Sequence, residues 1–118
     1  MVYLVEDDLS VVRSFRLLLD SHGIDLRSFS TAEDFLQSTN TGPGDILILD
    51  INLPGMKGTE LLKVLDEKGI RAPVIIVTAF DNAASREICS RYGVKAYMRK
   101  PVSGKALIDL IEFHHCVY

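Results

Sequence analysis

Ile46-Leu47-Ile48-Leu49-Asp50 decides the fold: four consecutive apolar residues end abruptly on a carboxylate. A strand buried on one face alternates apolar with polar, whereas a strand covered on both faces is apolar throughout. The run is preceded by the turn signal Gly42-Pro43-Gly44. Val74-Ile75-Ile76-Val77, introduced by Pro73 and ended by Thr78, repeats the pattern. Two such runs predict central strands of a parallel sheet, and the segments around them supply the rest.

Upstream, Val2-Tyr3-Leu4-Val5 is strand-length and ends on Glu6-Asp7-Asp8. Leu9 to His22 has helical spacing, with Val11, Phe15 and Leu18 on one stripe, Val12 and Leu19 beside it, and Gly23 at its end. Ile24 to Phe29 reads as a weaker strand suited to an edge. Either Ser30 with Glu33 or Thr31 with Asp34 offers a capping box for a short helix through Leu36.

Downstream, Pro54-Gly55 and Gly58 make a loop before a helix from Thr59 to Lys68 that stops at Gly69. Asp81 to Tyr92 is a helix that stops at Gly93, with a thin apolar stripe of Ala84, Ile88 and Tyr92 and with Ala83 and Cys89 alongside. Val94 to Met98 is a fifth strand, and Ser103 caps a last helix carrying Leu107, Ile108 and Ile111. Strand and helix alternate five times. The fold class is therefore α/β, a doubly wound (βα)5 parallel sheet joined by right-handed crossovers. The 118 residues, read as one domain over 1–118, leave room for one core.

Composition narrows function. Hydrophobic residues are 47% and charged residues 25%, and the formal net charge is −3. That balance fits a soluble globular domain and gives no basic surface for direct nucleic-acid binding. No apolar run is long enough for a bilayer, and no signal peptide is legible. Cys89 and Cys116 lie far apart without a CxxC motif. A disulfide is open to them, but two free thiols in a reducing cytoplasm fit better. His114-His115 is a poor chelate, because helical ligands need a shared face.

In open sheets of this kind ligands bind beyond the carboxyl ends of the strands. The residues after the four apolar strands are Glu6-Asp7-Asp8, Asp50, Thr78 and Lys100. Each alone is ordinary loop chemistry, and Asp8 could simply cap the first helix. Together they place carboxylates, a hydroxyl and an ammonium on one edge. Crowded carboxylates need a cation or a retained proton. An oxygen-only set selects Mg²⁺, which keeps waters and takes phosphate oxygens. Asp50 is then a candidate nucleophile for an aspartyl phosphate.

The stretches Val5-Glu6-Asp7-Asp8, Leu49 to Gly58, Val77-Thr78-Ala79 and Tyr97-Met98-Arg99-Lys100-Pro101 give the chain an end-to-end resemblance to bacterial response-regulator receiver domains. The first part of the chain, through Ser30 to Leu36, is most similar to the FixJ-type subgroup. The resemblance implies a flavodoxin-like, CheY-like sheet of strand order 2-1-3-4-5. It implies Asp50 as phosphoacceptor and Glu6 and Asp7 as the acidic pair holding Mg²⁺ with Asp50 and the Asn52 backbone carbonyl. A one-residue shift would promote Asp8 and demote Glu6. Thr78 is similar to the phosphate-sensing hydroxyl, Lys100 to the phosphate-pairing ammonium, and Tyr97 to the switch aromatic that turns inward. The Lys100-Pro101 bond is cis in such receivers. Glu6 stands where Asp is more usual, and Val102 where Phe often follows the Lys-Pro pair.

What the resemblance implies for function is a two-component phosphorelay component. A sensor histidine kinase or phosphotransfer protein donates the phosphoryl group. The domain is not a conventional enzyme; it catalyses its own aspartyl phosphorylation and dephosphorylation, with Asn52 and Phe80 flanking the path of attacking water. The face formed by the fourth helix, fifth strand and fifth helix then meets an output domain or a second copy. The chain is either a single-domain regulator or part of a longer one, for instance a transcription regulator. Three rival readings remain, one of them a receiver that works only as a docking module, against which the intact Asp50, Thr78 and Lys100 set argues. A haloacid-dehalogenase-type phosphatase places a second Asp where Asn52 stands, and would turn over small phosphate monoesters. A flavin-binding module needs a Ser/Thr/Gly-rich first loop, which Glu6-Asp7-Asp8 replaces with phosphate-repelling charge.

Overall fold

A computed structural model describes residues 1–38, 41–42 and 44–115. Pro43, Cys116 and the side chain of His115 lie outside the described residues. So, in part, do the Gly42-Pro43-Gly44 turn, the thiol pair and the His114-His115 reading.

The elements alternate as β1 (Val2–Val5), α1 (Leu9–Asp20), β2 (Leu26–Phe29), α2 (Ala32–Ser38), β3 (Ile46–Leu49), α3 (Gly58–Glu67), β4 (Val74–Thr78), α4 (Ala83–Arg91), β5 (Ala96–Arg99) and α5 (Gly104–His115). The sheet has the expected order β2-β1-β3-β4-β5, and every pairing is parallel. Val5 lies beside Leu49, and Leu49 beside Ile76. That register brings the carboxyl ends of β1 and β3 level, and fixes where Glu6 and Asp50 emerge.

Side-chain alternation splits the core into two layers. Leu47 and Leu49 join Tyr3, Val5, Phe35, Leu61, Leu65 and Ile76 on one face. Ile46 and Ile48 join Leu4, Phe15, Leu19, Ile75, Val77, Leu107 and Ile111 on the other. Apart from half-buried Val74 at the start of β4, the all-apolar runs are buried because both faces are covered.

Several predicted boundaries move, each for a local reason. The Asp8 carboxylate accepts from Ser10 N at 2.9 Å and caps α1. α1 ends at Asp20, short of His22, where the Ser21 hydroxyl turns back onto Leu18 O at 2.6 Å. Thr31, rather than Ser30, caps α2, accepting from Asp34 N at 3.1 Å. Asn82 caps α4 by accepting from Ser85 N at 2.8 Å, so the helix starts at Ala83 and not at Asp81. Cys89 is the buried centre of its apolar stripe, Ile88 and Tyr92 are half-buried, and Ala84, expected in the stripe, is exposed. Gly58 opens α3 rather than belonging to the preceding loop. Ser103 caps α5 as expected, through Ala106 N at 3.3 Å.

Candidate functional site

The site forms where β1, β3 and β5 end. Glu6 continues the ladder beyond β1, its N–H donating to Phe29 O at 2.9 Å, and Asp50 does the same beyond β3, donating to Val5 O at 3.1 Å. Both are buried, Glu6 at 1% exposure and Asp50 at 5%, so their charges face protein and not bulk water. Asp7, next in the chain, is exposed. Carboxylate oxygens of Glu6, Asp7 and Asp50 lie within 4.8 Å of one another.

One cation stands among them. Lys100 Nζ donates to Asp50 Oδ2 at 3.1 Å and to Glu6 Oε1. Its backbone is held from below, Lys100 N donating to Thr78 O at 2.9 Å, and the Lys100-Pro101 peptide bond is cis. Glu6 and Asp50 thus share one ammonium, with the Asp7 carboxylate beside them. Burial is the largest influence on Glu6 and pushes its carboxyl up to about 7; the Lys100 hydrogen bond opposes this and the Asp50 charge adds to it. Burial alone would lower the Lys100 ammonium, but the bonds to Glu6 and Asp50 outweigh it and hold it above its ordinary value.

The donor set is all oxygen, crowded and short of positive charge. That chemistry fits a hard divalent cation, which would satisfy the excess of negative charge better than a retained proton. Asp8 stands apart from this group: its side chain caps α1, and Ser10 Oγ also donates to it at 2.7 Å.

The β3–α3 loop is held close to Asp50. Asn52 N donates to Asp50 Oδ1 at 3.1 Å, and Gly58 N to Ile51 O at 2.9 Å. A Cβ at Gly58 would lie 2.6 Å from Asp50 O and 2.7 Å from Ile51 Cα. Only glycine lets the start of α3 approach this backbone so closely. From α2, Glu33 Oε2 accepts from Met56 N at 3.2 Å, tying the loop across the edge. These two supports are not evident from the sequence. Gly58 reads as one loop glycine among several, and Glu33 pairs with a backbone amide, which has no sequence signature.

Thr78, fully buried at the end of β4, accepts from Phe80 N at 3.0 Å through its hydroxyl. Phe80 and Asn52 are both exposed, Phe80 at 62%. The Tyr97 hydroxyl on β5 is already buried; no group meets it in full hydrogen-bond geometry, though the Asp81 carboxylate is near enough to act on it. Its ring carries the Arg86 guanidinium at 4.7 Å from the centroid, and Asp81 holds that guanidinium. Burial, then the Asp81 charge, pushes the Tyr97 phenol up.

Residues 2–112 match the family model described as the response regulator receiver domain. The transcriptional regulatory protein TdiR of Thauera aromatica is 29% identical over 110 residues, covering 93% of this chain and 48% of that protein. The solved response regulator StyR superposes with a TM-score of 0.88 at 32% identity, covering 96% of this chain and 57% of that one. The FixJ-N crystal structure superposes with a TM-score of 0.82 at 27% identity, covering 99% of this chain and 95% of that one. The chain spans about half the length of TdiR. Among the described residues no helix is long and apolar enough to cross a membrane.

Proposed function

The chain belongs to the response regulator receiver domain family, and we propose that it accepts a phosphoryl group on Asp50 from the phosphohistidine of a sensor kinase or phosphotransfer protein. The observation that carries this reading is the buried Asp50 carboxylate, paired with Lys100 at 3.1 Å and grouped with Glu6 and Asp7 at the carboxyl edge of the sheet.

In the proposed step an Asp50 oxygen attacks phosphorus in line as the bond to the histidine nitrogen breaks, and the nitrogen keeps the electron pair. Positioning and charge neutralisation supply the catalysis. Lys100 exchanges one carboxylate contact for a phosphoryl oxygen. Thr78 can donate its hydroxyl proton to a second oxygen while still accepting from Phe80 N. Glu6, Asp7, Asp50 and the Asn52 backbone carbonyl would hold Mg²⁺, which when bound supplies positive charge to the phosphoryl oxygens. Later hydrolysis of the acyl phosphate returns Asp50 to its free carboxylate. Exposed Asn52 and Phe80 flank the approach of that water.

The domain acts on itself rather than on a released substrate. Its output lies in the surface of α4, β5 and α5, which would meet an output domain or a second copy. α4 suits that role because it buries little beyond Cys89, so little holds it in one place. Regulation of transcription by a longer protein is the corresponding proposal for the whole.

Intact mass after incubation with a small phosphodonor tests the reading. One phosphoryl increment that needs Mg²⁺ and vanishes in Asp50→Asn supports it. Catalytic release of phosphate from monoesters, with no increment on the chain, would instead favour a hydrolase.

A further inference from the structure

Among the described residues, Tyr97 Oη is the one buried side-chain polar atom without a partner. Removing a phenol hydroxyl from water without a replacement hydrogen bond is unfavourable. Apart from a weak approach to the Asp81 carboxylate, something other than the hydroxyl must therefore hold the ring. Part of the hold is apolar, since the ring packs against the core layer that includes Ile76 and Cys89.

The rest comes from α4. The Arg86 guanidinium carbon lies 4.7 Å from the ring centroid, within cation–π range. Arg86 is itself fixed, its Nε and Nη2 donating to Oδ1 and Oδ2 of Asp81 at 2.7 and 2.8 Å. This two-pronged bond sets the guanidinium plane as a lysine could not. Arg99 approaches the same carboxylate at 3.8 Å. With the Arg86 side chain 52% exposed, such a pair adds little to global stability. Its effect is on where the guanidinium sits.

We propose that Asp81 and Arg86 are positioning residues: Asp81 holds the Arg86 guanidinium over Tyr97, and the pair latches the ring inward. Asp81 lies three residues beyond Thr78, in the segment that Thr78 Oγ1 ties through Phe80 N. Displacing the Thr78 hydroxyl toward a phosphoryl group therefore moves the carboxylate on which the latch depends. This relay rests on the proposed roles of Asp50 and Thr78; the latch itself does not.

Fluorine NMR of the 3-fluorotyrosine-labelled chain, with Tyr97 assigned by Tyr97→Phe, reads the ring without any phosphodonor. In the wild type the Tyr97 signal should show a small solvent-isotope shift. Asp81→Asn and Arg86→Met should each lower the inward-to-outward ratio several-fold, and the double variant no further than either single, because the two act as one unit. Arg86→Lys should fall between. A ring signal unchanged in both single variants, or effects that add in the double, overturns the latch. Adding beryllofluoride with Mg²⁺ then tests the relay. A wild-type Tyr97 response that disappears in Asp81→Asn supports it, and one that persists unchanged overturns it. A wild type in which Asp50 itself does not respond counts against the phosphoacceptor reading and leaves the ring result intact.

Discussion

Lys100 Nζ lies 3.1 Å from Asp50 Oδ2 and also donates to Glu6, so one ammonium ties together the chain just past β5, β3 and β1. In the proposed step it follows charge from carboxylate to phosphoryl group. Removing it both unbalances the resting site and strips the reaction of a fixed cation.

Lys100→Met should lower the rate of Asp50 phosphorylation by about a hundredfold, the usual scale for losing one group that stabilises developing charge. The far-ultraviolet spectrum should stay unchanged. Intact-mass time courses with a small phosphodonor check it; a rate within a few-fold of wild type would exclude the assigned role.

Glu6 makes the stability depend on pH with a definite sign. Below its unfolded value of 4.5 the carboxyl is neutral in both states. As pH rises toward its folded value of about 7, the unfolded chain releases the proton while the folded chain keeps it, so stability falls. The full loss is about 3 kcal/mol. Urea denaturation between pH 4.5 and 8 without divalent cations should show this decline, and Glu6→Gln should remove it. Mg²⁺ should stabilise the chain more at pH 8 than at pH 5, because the ligand must be ionised.

Gly58→Ala forces a Cβ to within 2.6 Å of Asp50 O. Backbone cannot yield as a flexible side chain can. The substitution should cost about 1–3 kcal/mol despite the better helix propensity of alanine, and should weaken Mg²⁺ binding as Asp50 shifts. Gly44→Ala, where nothing lies within 4 Å, is the control and should leave both measurements unchanged. Chemical denaturation and magnesium titration of the two variants decide the point.

Asn52→Ala and Phe80→Ala should alter the lifetime of the phosphorylated form several-fold while leaving the fold intact. Both residues are exposed; Asn52 N bonds the Asp50 carboxylate, and Phe80 N bonds the Thr78 hydroxyl at the end of β4. Decay of the phosphorylated mass after removal of the donor measures it, and unchanged lifetimes in both variants would reject the role.

The central strands and the acidic edge were legible because they rest on local patterns, whereas the full strand order came only with the family resemblance. Ile46 to Leu49 and Val74 to Val77 are apolar at every position, and each strand's last residue announces the edge. The start of α4 was not legible. Asp81 and Asn82 are both good caps, and the choice falls to Asn82 because Arg86 occupies the Asp81 carboxylate. That pairing also sets the guanidinium over the Tyr97 ring, a contact with β5 that no spacing rule encodes. The need for glycine at 58 is likewise tertiary, since it arises from backbone eight residues upstream. Asp8 illustrates a choice between neighbouring carboxylates: its capping bonds to Ser10 settle its side chain away from the acidic group.

The most direct test is to locate the modification. The chain is charged with a phosphodonor and Mg²⁺, reduced with borohydride, which converts an aspartyl phosphate to homoserine, and mapped by peptide mass spectrometry. Homoserine at position 50 and nowhere else is the predicted result. A phosphoryl group found on a serine, threonine or histidine, or an unreduced Asp50 in a chain that has gained phosphate, would contradict it.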